Sequence, residues 1–349
     1  MSQHAVDSVT PGAPAGVGPE GASDTTKPAR RRSLLGVLGL DRFSGIYVFV
    51  ATFIVFSLWV PDTFVQADNF KLIASQQAIT AILALAVIIP MAADVFDLSF
   101  AATMGLSTMV IAYLESSHGV NVWLSVLLGI LVGVLVGVIN GFFVAYLEVN
   151  SFVTTLAMSS VLAAATYWVS NGFPITEDIS PDLIKISTTK IFGISLIFYI
   201  MLVLAALLWV VLEFTPAGRY LFAIGGNAQA SRLAGLPVNR IVFLSLVASG
   251  TLSGIAGALL LAQLRLASYD VGPPYLLPAF SAAFLGATQI KAGRVNVIGT
   301  LIAVYLLATG VNGLQLAGAP VYINTLFGGV ALLLAVTLAV RTAKRRAQH

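Results

Sequence analysis

The sequence contains no cysteine, three histidines and very little charge. Without cysteine the chain has no disulfide, no cysteine-ligated metal and no thiol nucleophile. The histidines His4, His118 and His349 are far apart along the chain, so a histidine-based metal centre is not expected. Charged residues make up 9% of the chain, whereas about 25% is usual for a soluble domain.

Hydrophobic residues make up 58% of the 349 residues, and the mean hydropathy is +0.94. A water-soluble fold cannot bury this much apolar surface, so the sequence indicates a protein whose solvent is lipid. The predicted fold is all-α, a polytopic bundle of about ten (8–10) transmembrane helices. The apolar segments span about 44–60, 70–90, 96–114, 121–147, 151–170, 191–213, 240–263, 275–290, 295–313 and 320–340.

Three regions are expected along the chain. Residues 1–43 read as a disordered tail, 44–340 as the transmembrane domain and 341–349 as a basic tail. A signal peptide is the competing interpretation of the N-terminal region, but no small-x-small cleavage site follows the first apolar run. The segment 275–290 contains Pro278 and is predicted to be a broken or re-entrant helix.

The distribution of lysine and arginine predicts the orientation in the membrane. With both termini in the cytoplasm, all but four of the 18 basic residues lie inside; Lys71, Lys185, Lys190 and Arg265 lie outside. The longest inside loop is then 214–239. The longest outside loop, 172–190, is either a solvated surface or a docking surface for an extracytoplasmic partner.

Small residues recur every four positions in the fourth segment. Gly129, Gly133, Gly137 and Gly141 lie on one helix face, which predicts close packing of another helix. Asn140 is beside this stripe, and an amide in hydrocarbon needs a partner. It either ties two helices together or lines a path for a polar solute.

Other polar residues within or at the edge of the apolar segments are also candidates for a solute path. Asp94 and Asp97 follow Pro90, so they lie either in unwound backbone near a pore or in cytoplasmic water. The predicted path residues are Asp97, Ser99, Asn140, Gln76, Gln77, Asn171 and Asn312. Each of them also suits a hydrogen bond between helices.

The stretch FAIGGNAQASRLAG (222–235) is glycine-rich, which raises the question of phosphate binding. It lacks the lysine of a P-loop, and direct nucleotide binding is not expected. The sequence contains none of the common catalytic motifs for hydrolysis, so an enzyme is not expected either. A membrane path without a visible energy source implies an ion gradient or an ATPase in another subunit.

Several stretches resemble the ribose-type sugar permeases of bacterial ABC importers. They include NGFFVAYLEVNSFVTTL (140–156), GRYLFAIGGNAQASRLAGLPV (218–238) and FLGATQIKAGRVNVIGT (284–300), and the likeness runs from about 44 to 340. The chain keeps Asp97-Leu98-Ser99 of that family's G-G-I-D-L-S-V-G motif but has different flanks. It also has Leu277 and Pro278 where the family often has an acidic residue.

The resemblance implies a permease subunit in a bacterial plasma (inner) membrane. Its partners would be an ABC ATPase subunit that uses ATP and Mg, an extracytoplasmic sugar-binding protein and a second permease copy. No cofactor would bind the permease directly, and no nucleic acid is expected. Import of a nucleoside or a branched-chain amino acid is the alternative within the superfamily. An ion-coupled secondary transporter is the alternative outside it, and a polytopic enzyme is a third.

The resemblance also implies that the long inside loop holds a short coupling helix seated in the ATPase. The residues favour this helix. Asn227 is a suitable N-cap, residues 228–234 can form a helix, and Gly235 is a suitable C-terminal stop. The residues predicted to couple to the ATPase are Arg219, Gly226, Asn227, Ala230, Arg232, Leu233 and Gly235.

Overall fold

The computed structural model describes residues 40–291, 293–320 and 322–347, which are mostly helical. The helices are α1 (Leu40–Trp59), α2 (Pro61–Phe64), α3 (Ala67–Gln76), α4 (Ala78–Met91), α5 (Phe100–His118), α6 (Val122–Gly141), α7 (Ser151–Ser170), α8 (Pro181–Thr188), α9 (Leu196–Phe214), α10 (Pro216–Gly226), α11 (Ala228–Leu233), α12 (Val238–Leu264), α13 (Leu276–Ala287), α14 (Val297–Leu316) and α15 (Ile323–Ala347). A π-helical turn (Phe142–Tyr146) extends α6, a 3-10 turn (Pro273–Tyr275) precedes α13, and an antiparallel hairpin of β1 (Lys190–Ile191) and β2 (Ile194–Ser195) precedes α9.

Five helices in the described part of the chain are long and apolar enough to cross a membrane, judged by length and composition. They are α6 with its π turn, α7, α9, α12 and α14. The pair α3–α4 passes the same test as one span, bent by 42°. Shorter apolar stretches occur in α1 and α15, at Tyr47–Trp59 and Thr325–Leu334. The described chain is therefore an all-α membrane protein with five or six such spans.

The helices depart from the predicted segments in three places. The segment 70–90, predicted as one helix, is divided between α3 and α4. In 275–290 the helix α13 covers only 12 residues and is continuous through Pro278, because this proline is its third residue, where no intrahelical N–H bond is lost. The third departure is the loop 214–239, which contains an unpredicted helix, α10, before the predicted one. Of the predicted N-terminal tail, residues 1–39 lie outside the described residues.

Asparagine side chains begin three of the long helices. Asn121, Asn150 and Asn296 each accept a hydrogen bond from a backbone N–H in the first turn of α6, α7 and α14, respectively. At the opposite ends, Gly119 and Asn171 adopt left-handed backbone conformations that terminate α5 and α7. The local sequence therefore determines where these helices start and stop.

The helix α4 lies at the centre of the bundle. Every residue from Ala78 to Pro90 is buried, and the helix packs against α9, α12, α13 and α14. A helix that is apolar on all sides is expected where no face meets water. The surrounding helices expose many large apolar side chains on their outer faces, as expected for lipid contact.

The glycine stripe of α6 lies against α12. A Cβ atom built on Gly133 would lie 2.2 Å from the carbonyl oxygen of Gly250, and one built on Gly137 would lie 2.6 Å from another carbonyl oxygen of α12. Gly141 also faces α12, whereas Gly129 faces side chains of α5. The absence of side chains lets the two helix backbones touch over about three turns.

Ion pairs identify the loops that share one end of the bundle. Arg232 of α11 pairs with Glu148, which follows the π turn, at 3.0 Å. Lys291, which follows α13, pairs with Glu213 near the C-terminus of α9. We call this the Arg232 end.

Backbone contacts identify the loops at the opposite end. Ile175 and Ala267 form an isolated antiparallel bridge, which joins the loops after α7 and α12. The N–H of Ser180 donates to the Glu115 carboxylate near the C-terminus of α5. We call this the Ser180 end; it carries α8 and the β hairpin.

Candidate functional site

A cavity of about 460 Å³ lies at the N-terminal end of α13. Its walls come from α4, the 3-10 turn with α13, α14 and α15. The volume falls in the range of roughly 300–1,000 Å³ that is typical of small-molecule sites. No charged side chain of the described residues lines it. We call it the Gln77 cavity; its lining includes Gln77, Thr80, Tyr275, Val304, Ala308 and Thr325.

The bend between α3 and α4 occurs at Gln77, which faces this cavity. In a continuous helix the carbonyl of Ala74 would accept from the N–H of Ala78. Here the Tyr305 hydroxyl of α14 donates to that carbonyl at 3.2 Å. A neighbouring helix thus satisfies a backbone group that the break releases, as membrane interiors require.

A second cavity, of about 440 Å³, lies at the Arg232 end beside the C-terminal end of α13. We call it the Asp94 cavity; Asp94, Phe222, Gly225, Phe284 and Arg294 are among its lining residues. The Arg294 guanidinium lies 3.4 Å from the centre of the Phe222 ring, a cation–π contact. Partial burial raises the pKa of the Asp94 carboxyl. Unlike the Gln77 cavity, this one carries both signs of charge.

Four phenylalanines form a row of ring contacts, two from α13 and two from residues 96–100. Phe100 and Phe280 meet edge-to-face at 5.4 Å between ring centres, and Phe280 stacks on Phe284 at 6.2 Å. Phe96 stacks on Phe284 at 6.3 Å, and both also line the Asp94 cavity. The N-terminal end of α13 lines the Gln77 cavity, its C-terminal end lines the Asp94 cavity, and residues 279–283 between them are buried. We call the four rings the aromatic ladder.

A buried polar network joins the segment between α4 and α5 to two other helices. Asp97, only 2% exposed, accepts hydrogen bonds from the Ser99 hydroxyl and from the Ser249 hydroxyl of α12, each at 2.7 Å. The Asn140 amide of α6 donates to the Ser99 hydroxyl at 2.8 Å. These four side chains line neither cavity. Their observed contacts hold α6, α12 and the 92–99 segment together.

The helix α11 is a capped, solvent-facing unit at the Arg232 end. The Asn227 side chain accepts from the Ala230 N–H at 2.9 Å. After the helix, Gly235 has φ +84° and the N–H of Leu236 donates to the Ser231 carbonyl, which satisfies a terminal carbonyl. The Leu233 side chain is 86% exposed. A helix with its ends satisfied and an apolar side chain in water suits contact with another protein.

The two arginines predicted for coupling differ in their surroundings. Arg232 donates to Glu148 at 3.0 Å and to Asn239 at 2.9 Å. It therefore already ties α11 to the ends of α6 and α12. Arg219 of α10 is exposed.

The residues predicted for a solute path do not form one site. Gln77 lines a cavity, whereas Asp97, Ser99 and Asn140 form the buried network. The other three are dispersed: Gln76 is exposed on α3, Asn171 is exposed at the Ser180 end, and Asn312 is half-buried in α14.

Sequence reasoning missed three polar residues of the Gln77 cavity: Thr80, Tyr275 and Thr325. The one available signal was the spacing of Gln77 and Thr80, because residues three apart share a helix face. Tyr275 and Thr325 reach the cavity from other elements, and their residue types are common in membrane proteins. Among the described residues no cluster of His, Cys, Asp or Glu is arranged to hold a metal ion.

Comparison with known proteins gives consistent matches over most of the chain. The family model described as branched-chain amino acid transport system / permease component matches residues 69–336. The ribose import permease protein of Bacillus subtilis is 34% identical over 300 residues, which cover 86% of this chain and 92% of the relative. The corresponding ribose protein of Haemophilus influenzae is 31% identical, with 81% and 88% covered. The L-arabinose transport system permease protein of Escherichia coli is 31% identical, with 85% and 89% covered. No solved structure matches.

Proposed function

The chain belongs to the family of permease components of branched-chain amino acid-type transport systems, and from this premise we propose that it imports a monosaccharide or similar polyol. It is a multi-pass protein of the bacterial plasma membrane and the transport subunit of an ABC importer, not the enzyme that hydrolyses ATP. Two relatives support this solute class, because their names give ribose and L-arabinose as the transported sugars. An ABC ATPase, a sugar-binding protein and a second permease copy complete the proposed transporter.

The proposed orientation puts the Arg232 end in the cytoplasm. Arg219, Arg232, Arg240, Lys291 and Arg294 belong to loops or helix ends on that side, which agrees with the excess of basic residues in cytoplasmic loops. Ten spans follow if α1, the bent pair α3–α4, α5, α13 and α15 cross together with the five long apolar helices. Both termini are then cytoplasmic. At 12 residues α13 is about 18 Å long, so it crosses only together with the 3-10 turn and flanking loops.

The observation that carries the proposal is the exposed, capped helix α11. Its Leu233 projects into water at the end proposed to be cytoplasmic, where an ATPase subunit would bind. The preceding helix α10 packs directly on the end of α4, because a Cβ atom on Gly225 would lie 2.4 Å from the Ala92 carbonyl oxygen. A displacement of α10–α11 by the ATPase would therefore be transmitted to the central helix.

The two cavities support alternating access. The Gln77 cavity lies in the half of the bundle nearer the Ser180 end, the Asp94 cavity lies at the Arg232 end, and the aromatic ladder closes the space between them. In the proposed cycle, ATP binding in the partner favours one arrangement of the ladder and a loaded binding protein favours the other. The solute crosses when the ladder opens.

The alternatives make different demands on the site. A branched-chain amino acid carries two charges, whereas the described lining of the Gln77 cavity is uncharged, which favours a neutral polyol. An ion-coupled transporter needs a carboxylate in the path. Asp97 is enclosed in hydrogen bonds away from both cavities, and Asp94, which lines the second cavity, shares that lining with the cationic Arg294. A nucleoside is neutral and remains the alternative solute.

Reconstitution tests the function directly. The permease is placed in proteoliposomes with its ATPase and with the binding protein, and uptake of the sugar that the binding protein binds is measured. We expect uptake only with ATP and both partners. Uptake by the permease alone, driven by a proton or sodium gradient, would contradict the proposal.

The coupling role of α11 is tested with Leu233→Glu. Because this side chain makes little contact within the chain, the change places a charge in the proposed interface without disturbing the permease. We expect loss of ATPase co-purification and of transport. The control is Phe192→Glu, the same kind of change at a 90% exposed position on the Ser180 end, which should retain the ATPase. Arg232→Glu should also abolish transport, but it breaks the contact with Glu148 as well.

If Leu233→Glu retains the ATPase as well as Phe192→Glu does, α11 is not the coupling surface. Normal membrane insertion and dimerisation of both variants is required for this comparison and is checked by size-exclusion chromatography in detergent.

A further inference from the structure

The Gln77 cavity contains polar groups that make no hydrogen bonds within the part of the chain that the structure describes. They are the amide of Gln77 at the break between α3 and α4, and the hydroxyls of Thr80 in α4, Tyr275 in the 3-10 turn and Thr325 in α15. Polar groups shielded from water inside a membrane protein are costly unless they find a partner. Thr80 is buried and Gln77 and Tyr275 are half-buried, whereas Thr325 is exposed. Three unpaired groups with reduced access to water around one cavity therefore indicate a bound polar molecule, either a solute or water.

Thr80 provides the clearest case, because it is only 7% exposed. Buried threonines elsewhere in these helices donate to the carbonyl four residues earlier, as Thr103, Thr108 and Thr166 do. Thr80 makes no such bond within the described residues, although its position in the first turn of α4 would place the Gln76 carbonyl four residues earlier. The break at Gln77 thus leaves the hydroxyl available to the cavity.

The same break starts a new helix beside these side chains. A new helix begins at Ala78, and the first N–H groups of a helix have no partner in a preceding turn. The break is stabilised from outside by the Tyr305 hydroxyl on the Ala74 carbonyl. Discontinuous helices with free N-termini near the middle of the membrane are a recurring construction of transporter binding sites.

The rest of the lining is apolar and includes Val304, Leu307 and Ala308 of α14. A sugar presents hydroxyls at its edge and C–H groups on its faces, which matches a cavity whose lining combines uncharged donors and acceptors with aliphatic groups. Resting on the function proposed above, we infer that the Gln77 cavity binds the sugar within the membrane through Gln77, Thr80, Tyr275 and Thr325.

Thr80→Val tests this site with little change in side-chain shape. In the complete transporter, we expect the amount of sugar imported per ATP hydrolysed to fall by about 2- to 12-fold, the effect of one net hydrogen bond. The matched control is Thr166→Val, which removes a buried threonine hydroxyl of α7 that bonds within its own helix and lines neither cavity. It should leave the ratio unchanged. Equal ratios for Thr80→Val, Thr166→Val and the unchanged chain would overturn the inference.

A binding measurement on the permease alone gives a readout independent of transport. The chain has no cysteine, so Thr80→Cys, Thr325→Cys and the control Thr166→Cys each provide a single thiol. The rate of reaction with a small methanethiosulfonate reagent is measured with and without D-ribose or L-arabinose. We expect sugar to slow labelling several-fold at Thr80→Cys and Thr325→Cys but not at Thr166→Cys. Labelling rates that neither sugar changes at the two cavity positions would overturn the inference.

The two hypotheses fail in different ways. ATP-driven sugar uptake with no effect at Thr80 and no protection by sugar would remove the site and leave the transport function standing. Absence of ATP-driven uptake in the unchanged complex would remove the function and the inference together.

Discussion

Replacing Gly133 by alanine is expected to force α6 and α12 apart. The new Cβ atom would lie 2.2 Å from the Gly250 carbonyl oxygen and 3.0 Å from the Gly254 Cα. These are backbone atoms, which cannot rotate away, so the helices must separate by about 1 Å to restore a normal contact. A gap of roughly 0.5–1 Å already loses a quarter to a half of the dispersion attraction between the atoms that face it. We expect a cost of about 2–3 kcal/mol in the free energy of unfolding, the upper part of the range for overpacking.

The matched control is Gly329→Ala in α15. A Cβ atom there meets nothing within 4 Å, so this variant gains helix propensity without a clash. Unfolding is followed by circular dichroism as sodium dodecyl sulfate is titrated into detergent micelles. The difference between the two variants isolates the contact, because both replace a helical glycine by alanine. Equal free energies of unfolding would refute the close approach of α6 and α12.

Three other predictions follow from the described contacts. Asn227→Ala removes the cap of α11, so it should destabilise that helix by about 1 kcal/mol and weaken ATPase co-purification, whereas Asn227→Ser should retain both. Asp97→Ala should lower the free energy of unfolding by about 1–3 kcal/mol, because it leaves buried hydroxyls unpaired. The double variant Asp97→Ala/Ser249→Ala should lose less free energy of unfolding than the two single variants added together, as a double-mutant cycle in detergent would measure. Phe284→Ala opens the aromatic ladder and should increase passive sugar leak through proteoliposomes without ATP; an unchanged leak would contradict a closing role.

The features predicted well from the sequence are those determined by neighbouring residues. The start of α11 depends on the Asn227 side chain and an N–H three residues later, and its end depends on Gly235, so a short stretch contains all the information. The glycine spacing of α6 predicted close packing in the same way, because a period of four residues fixes one face of a helix. The ranges of most long helices followed from apolar length alone.

The break at Gln77 was not predictable in this way. No glycine or proline marks it in the run from Ala67 to Ile89. The hydroxyl that satisfies the freed Ala74 carbonyl belongs to Tyr305, 231 residues further along the chain. The conformation at this position therefore depends on a long-range contact that propensity and spacing do not contain.

The polar residues in the membrane separate into two kinds according to their hydrogen bonds. The sequence predicted a solute path through Asp97, Ser99 and Asn140, because polar groups in hydrocarbon are costly unless they have a role or a partner. In the structure these side chains form most of their hydrogen bonds with one another and with α12. Their loss is expected to affect stability first. Thr80 and its polar neighbours in the Gln77 cavity lack such partners among the described residues. Substituting them is therefore expected to change the free energy of unfolding little and to weaken solute binding instead. Residue type alone does not distinguish these kinds; the hydrogen bonds already made within the fold do.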